Sequence, residues 1–233
     1  LTVHPRLFYD PATGIGEALL AIHDADPQVE LVGDDLDTRS LLIARQRAIL
    51  AGAALTASHL DVLVEGYTTS KSADAVVVEP PFNLRQSDEV SITDPRWRFG
   101  LPSKVSSELL WVQHAIFNLA PDGQAFVITP RGALLRGGAD RRVRSELLAA
   151  GCIRAVIGLP TRMLPQTSIP LALWVLSPPN SRATKVLFID ASEVEDPELE
   201  VAGWLNFLQD GSKVPEAGAC ARIPISRIVR NDA

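Results

Sequence analysis

Cysteine is nearly absent from this chain. Only Cys152 and Cys220 occur in 233 residues, far apart, so neither a disulfide framework nor a zinc site is indicated. Long apolar runs are missing too, and none approaches the roughly 18 residues of a membrane-spanning helix. No secretory signal pattern opens the sequence, so the expected compartment is the cytoplasm, with no membrane association. Positive charge is scarce: the formal net charge is −6. A domain that grips nucleic acid alone, through phosphates, shows a basic balance or a basic face. The deficit argues against a self-sufficient DNA-binding domain. It leaves room for a catalytic core whose partner supplies most of the grip. His4, His23, His59 and His114 have no ligand-like spacing, and no internal repeat or low-complexity tract is present.

What is there is an ordinary globular composition, 46 % hydrophobic and 21 % charged, in a chain long enough for one large α/β domain. Leu1 stands immediately before a strand, and the expectation is of an excised domain with flanking segments missing. Strand and helix signals alternate. Arg6–Tyr9, Val29–Gly33, Val62–Val64 and Ala75–Val78 read as strands, and Gly16–His23 and Thr38–Gly52 as helices. Thr38 is the expected N-cap of the second helix and Gly52 its stop. Gln86–Ser103 is a long polar loop of the kind that carries function. Then follow helix Ser106–Asn118, strand Ala125–Thr129, helix Ala139–Ala150, and strands Ile153–Gly158, Leu171–Leu176 and Lys185–Asp190, with a Pro-rich loop at Leu159–Pro170. After about Ser192 the chain is acidic, less periodic and expected to be peripheral. Repeated βα alternation predicts an α/β fold with a doubly wound, mostly parallel sheet. Ligands of such sheets bind beyond the carboxyl ends of the strands.

Two motifs fall at such ends. The first is Asp10-Pro11-Ala12-Thr13-Gly14-Ile15-Gly16-Glu17, where two glycines permit a tight turn and close backbone approach to a ligand. About 25 residues downstream of Asp10, Asp34-Asp35 ends the second strand, at the spacing of a carboxylate that binds ribose hydroxyls. A plain βα turn also has this form, and so does a dinucleotide loop. The third glycine that a pyrophosphate loop needs is missing near Leu19. S-adenosylmethionine has no pyrophosphate, so the looser turn favours it.

The second motif is Val76-Val77-Val78-Glu79-Pro80-Pro81-Phe82-Asn83. It resembles the signature of amino-methylating DNA methyltransferases: Asn or Asp, then Pro-Pro, then an aromatic. An exocyclic adenine amine is a poor nucleophile because its lone pair is delocalised into the ring. A side-chain oxygen at the first position and the following Pro carbonyl accept its hydrogens. The proline pair fixes that carbonyl, and the aromatic ring stacks on a flipped-out base. Further segments follow in the order found in type I restriction-modification methylases: Asp94–Gly100, Pro121–Gly132, Leu134–Gly138, Arg144, Ala155–Pro160, Thr167–Pro170 and Phe188–Ala191. From about Tyr9 to Ser192 the chain resembles the methylase (M) subunits of that N6-adenine family.

The resemblance implies a class I, Rossmann-like methyltransferase fold, with residues 1–192 as the catalytic core and 193–233 as a peripheral extension of the same domain. It implies S-adenosylmethionine as cofactor, DNA as substrate, a specificity subunit as partner and possibly a restriction subunit. Asp10, Ala12, Gly14 and Gly16 would line the methionine half of the cofactor, Asp35 the ribose, and Leu36 the adenine ring. An acidic residue after the third strand would bind the adenine amine. Glu65 is the nearest candidate for it, with Gly66 as the alternative register. Glu79, Pro80, Pro81 and Phe82 would be catalytic, and Arg96 and Arg98, beside that loop, would contact phosphates. Arg141, Arg142 and Arg144 read as solvated helix charge. Trp97 is a candidate for base stacking, whereas Trp111, Trp174 and Trp204 read as core or interface.

Two departures stand out. The family's upstream segment, which closes over the methionine carboxylate, is absent from the sequence. Glu79 stands where the family has Asn or Asp, and its extra methylene displaces the acceptor by more than an ångström. A catalytically weak or silent subunit that binds cofactor or DNA is therefore the alternative. A methyltransferase for protein amides, which uses similar Pro-Pro-Tyr logic, is disfavoured by the long match beyond the catalytic motif.

Overall fold

The β-branched and apolar runs of the sequence become the central strands of one sheet. The structure, a computed structural model, describes residues 6–65, 70–161, 163, 168–180, 183–210 and 218–231. Its elements in chain order are β1 (Leu7–Asp10), α1 (Glu17–Ala25), β2 (Glu30–Asp35), α2 (Thr38–Ala51), β3 (Leu55–His59), β4 (Ala73–Val78), α3 (Glu108–Phe117), β5 (Leu119–Pro130), α4 (Ala139–Ala149), β6 (Ile153–Gly158), β7 (Leu171–Leu176), β8 (Lys185–Asp190), α5 (Pro197–Asp210), β9 (Ala219–Pro224) and α6 (Ile225–Asn231). The strand order is β3-β2-β1-β4-β5-β7-β6-β8-β9. β7 runs antiparallel between β5 and β6, and β9 runs antiparallel along β8. The other pairings are parallel. This is the expected doubly wound, mostly parallel α/β sheet.

Alternate residues of each strand face opposite layers. Tyr9, Val32, Val76 and Val127 face α3 and α4, where Leu110, Val112, Val143 and Leu147 are buried. Phe8, Leu31 and Ala75 face the other way, against Leu19 of α1. Farther along that second face, Trp204 and Phe207 of α5 pack on Ile157, Val175 and Leu187. The stretch beyond residue 192 thus contributes a helix to the core and an edge strand to the sheet.

Several expectations are corrected. The third strand is Leu55–His59, not Val62–Val64, which forms a turn. Val62 and Leu63 are apolar because that turn is buried, at 2 % and 7 % exposure. The fifth strand is longer than Ala125–Thr129, beginning at Leu119. The cap of α2 is Asp37 rather than Thr38: its carboxylate accepts the Arg39 and Ser40 amides at 3.2 and 3.1 Å. Of the loop Leu159–Pro170, residues 162 and 164–167 lie outside the described residues.

Strand order reverses about β1, which is flanked by β2 on one side and β4 on the other. A crevice opens at such a switch point, beyond the carboxyl ends of the strands. Here it lies between Asp10, the last residue of β1, and Glu79, which follows β4.

Candidate cofactor and substrate site

The glycine turn is built around Asp35. Its Oδ2 accepts the Gly14 amide at 2.7 Å and its Oδ1 accepts the Asp37 amide at 2.8 Å, so one carboxylate ties the end of β2 to the turn after β1. The Thr13 amide donates to the Asp34 carbonyl at 3.0 Å, and the Gly16 amide to the Thr13 carbonyl at 2.8 Å. Gly16 opens α1 at φ 83°, a left-handed conformation that disfavours any side chain. At Gly33 a Cβ would lie 2.8 Å from Thr13 Oγ1, so the close approach of turn and strand also requires glycine there.

Asp10 is buried at the base of the turn, and its Oδ1 accepts the Ala12 amide at 3.0 Å. Burial pushes its carboxyl up to about 7; the Ala12 amide opposes that shift, and the negative charges of Asp35 and Glu79 add to it.

A cavity of about 360 Å³ opens beyond these strand ends, with Ala12, Asp35, Leu36, Asp61, Glu79 and Trp111 among its walls. Asp61 is the acidic residue after the third strand that reaches it. Its Oδ1 accepts the Leu63 and Val64 amides at 3.1 and 3.3 Å, fixing the buried turn beside it. Glu65 does not line the cavity. Its carboxylate turns back to accept the Asp61 amide at 3.2 Å, which corrects the expectation for Glu65. Gly66 lies outside the described residues.

Glu79 borders the same cavity and makes no hydrogen bond among the described residues; partial burial raises its carboxyl. Pro80 is buried and Pro81 exposed, and Phe82 packs against the apolar cluster that contains Leu159 and Leu171. The chain then turns at Asn83, left-handed at φ 55°, whose amide donates to Glu108 Oε1 at 3.3 Å. Glu108 is fully buried and paired with Arg136 at 3.0 Å. Burial works against its ionisation, but hydrogen bonds from Ser106 and Arg136 outweigh that and hold its carboxyl low. Sequence reading missed this anchor, although Arg136 stood in a segment with a family resemblance.

Arg96 does not face a phosphate. It is 1 % exposed, paired with Asp94 at 2.5 Å, and donates to the Val62 and Glu65 carbonyls and to His114 Nδ1. It braces from below the turn that carries Asp61. An interior cation is tolerated because Asp94 neutralises it and carbonyls take its remaining hydrogens. His114, buried beside it, is pushed down to about 3 by burial and by the Arg96 charge, and is neutral. Arg98 is exposed and stacks over Phe99 at 4.8 Å. It borders a small cavity with Phe117, Leu119 and Pro178, at the amino end of β5 and away from Glu79. Neither arginine lines the cavity that Glu79 borders. Trp97 is 5 % exposed in the core and cannot stack on a base, and Arg144, at 5 %, is interior rather than solvated.

Thr13 Oγ1 in the turn and the indole N–H of Trp111 in the cavity wall are buried at the crevice with no partner among the described residues. Such atoms are costly unless something satisfies them. A larger, mostly apolar groove of about 700 Å³ lies against the face of the sheet with Trp174 and Ile228 in its walls, away from these strand ends.

A glycine turn after β1 and a carboxylate after β2, at a switch point of the sheet, are the arrangement by which doubly wound α/β proteins bind nucleosides. The profile of the N-6 DNA methylase family matches residues 2–202, and the chain belongs to that family. It is 25 % identical over 197 residues to the type I restriction enzyme HindI methylase subunit of Haemophilus influenzae, covering 80 % of this chain and 44 % of that protein. It is 28 % identical over 261 residues to the MjaVIII methylase subunit of Methanocaldococcus jannaschii, covering 97 % and 44 %. The chain thus spans less than half the length of these relatives. Among solved structures it matches the type I restriction-modification methyltransferase subunit from Streptococcus thermophilus. The TM-score is 0.86 at 28 % identity, over 97 % of this chain and 52 % of that one. The fold is that of the class I S-adenosylmethionine-dependent methyltransferases.

Proposed function

We propose that this chain is the S-adenosylmethionine-binding catalytic core of a DNA methyltransferase that acts on adenine N6. In this reading it works in the cytoplasm as the modification subunit of a type I system, with a specificity subunit and possibly a restriction subunit. The observation that carries the proposal is that Glu79 and Pro81, of the motif Glu79-Pro80-Pro81-Phe82, line one cavity with Asp35 and Asp61, across the switch point from the glycine turn.

The residues present fit the cofactor. Asp35 has the place and chemistry to accept ribose hydroxyls, Asp61 to accept an adenine amine, and Leu36 and Val62 to cover the ring. Asp10, Ala12, Gly14 and Gly16 face the methionine half, where the Thr13 hydroxyl has no partner among the described residues. The bound cofactor supplies the electrophilic methyl group. The chain's own part is to hold the acceptor: Glu79 takes one amine hydrogen, the Pro80 carbonyl the other, and Phe82 stacks on the base. Specific DNA contact falls to the partner, in keeping with the net charge of −6 and with the positions of Arg96 and Arg98.

The test is transfer of a labelled methyl group to mixed-sequence DNA by the full-length protein with its specificity partner. Label recovered as N6-methyladenine supports the reading. Cofactor binding without transfer, rescued by Glu79→Asn, would identify a silent site, and transfer to protein instead of DNA would overturn the substrate.

A further inference from the structure

We infer that Glu79 is a charge selector: it makes the cavity retain the methylated cofactor, a sulfonium cation, in preference to the demethylated product, a neutral thioether. The inference rests on the cofactor reading above and extends it to the discrimination between the two forms.

Three observations carry it. Among the described residues, the cavity walls include three carboxylates, Asp35, Asp61 and Glu79, and no lysine, arginine or histidine. The three are not equivalent. Asp35 accepts backbone amides on both oxygens, and Asp61 accepts two on its Oδ1. These two charges are partly compensated and geometrically committed. Glu79 accepts no hydrogen bond among the described residues, so its charge faces the cavity uncompensated.

Arg96, the buried cation that braces the Asp61 turn, is neutralised by Asp94. Across the crevice, the negative charge of Glu79 adds to the burial that holds the Asp10 carboxyl above its ordinary range. A ligand with a positive centre between these groups relieves the repulsion, and one without it does not. An asparagine or glutamine in place of Glu79 would offer a similar oxygen but no charge. The consequence is a cavity that lets go of its product once the methyl group, and with it the positive charge, has left.

Calorimetric titration of the full-length protein with S-adenosylmethionine and with S-adenosylhomocysteine, without DNA, tests this. Wild type is expected to prefer the sulfonium by about tenfold, the scale of two unit charges a few ångströms apart in water, as suits the exposed position of Glu79. Glu79→Gln should weaken the sulfonium alone and bring the two affinities within about threefold. Glu79→Asp, which keeps the charge, should retain most of the preference. Glu79 is solvent-exposed, and unchanged melting temperatures would show that the variants fold. An unchanged preference in Glu79→Gln, or a wild type that favours the thioether, overturns the inference and leaves cofactor binding intact. Failure of wild type to bind either ligand overturns the cofactor reading itself.

Discussion

The Gly14 amide and the Asp35 carboxylate meet at 2.7 Å, so the residue proposed to hold ribose hydroxyls also holds the glycine turn in shape. Loss of the carboxylate should therefore cost stability as well as affinity. Asp35→Ala removes two amide hydrogen bonds to a charged acceptor and should lower stability by about 2 kcal/mol. Denaturant unfolding without ligand measures that part. Cofactor affinity should fall more than tenfold in calorimetric titration. A stability equal to wild type would show that the turn does not depend on Asp35.

Asp61 and Glu65 make opposite predictions. Asp61→Ala removes a cavity carboxylate and should weaken cofactor binding about tenfold. Glu65→Ala removes a hydrogen bond to the Asp61 amide from outside the cavity and should change affinity less than threefold. The reverse ranking in the same titration would restore Glu65 as the ligand.

Arg136→Met leaves the fully buried Glu108 without its cation and should cost about 3 kcal/mol. The pH dependence follows from the depressed carboxyl of Glu108. A group whose folded pKa lies below its unfolded value stabilises above the unfolded value of 4.5 and loses that contribution as pH falls through the folded pKa. The gap between wild type and variant should thus be full at pH 7 and shrink below about 4.5. Because Glu108 also anchors Asn83, methyl transfer should fall further than cofactor affinity.

Asp10 has the opposite sign. Its carboxyl moves from 3.8 to about 7 on burial, so its contribution to stability is fully present below 3.8 and is lost as pH rises through 7. Asp10→Asn keeps an oxygen for the Ala12 amide and cannot ionise. Its stability relative to wild type should rise between pH 5 and pH 8, read from unfolding curves at each pH. A constant difference would mean that Asp10 does not titrate in that window.

The buried strands could be read from the sequence because burial on both faces leaves an apolar run, as in Val76–Val78 and Ile153–Gly158. The third strand could not. Leu55–His59 lies at the edge of the sheet and exposes Thr56, Ser58 and His59, so its composition is that of a loop. The apolar signal sat instead on Val62 and Leu63, which are buried under the cavity, and the strand was placed there. That displacement carried the expected acidic residue from Asp61 to Glu65. The motif Glu79–Phe82 and Asp35 stand out in the sequence because the chemistry each offers is local to a few consecutive residues. Arg96 was misread because its neutralising partner and the carbonyls it braces come together through tertiary packing.

The order of the sheet has a consequence for how the chain is made. β3, β2, β1 and β4 come from the first part of the sequence, up to Val78, and β5 to β9 from Leu119 onward. Among the described residues, the two groups of strands pair with each other along one line, β4 against β5. Strands of the first group have all their neighbours among themselves except β5, the partner of β4, and synthesis from the amino terminus delivers them first. The seam between Val76 and Ala125 is then the late long-range pairing. Glu79 stands at its edge, so the carboxylate that completes the cavity takes its final surroundings only when both groups have joined.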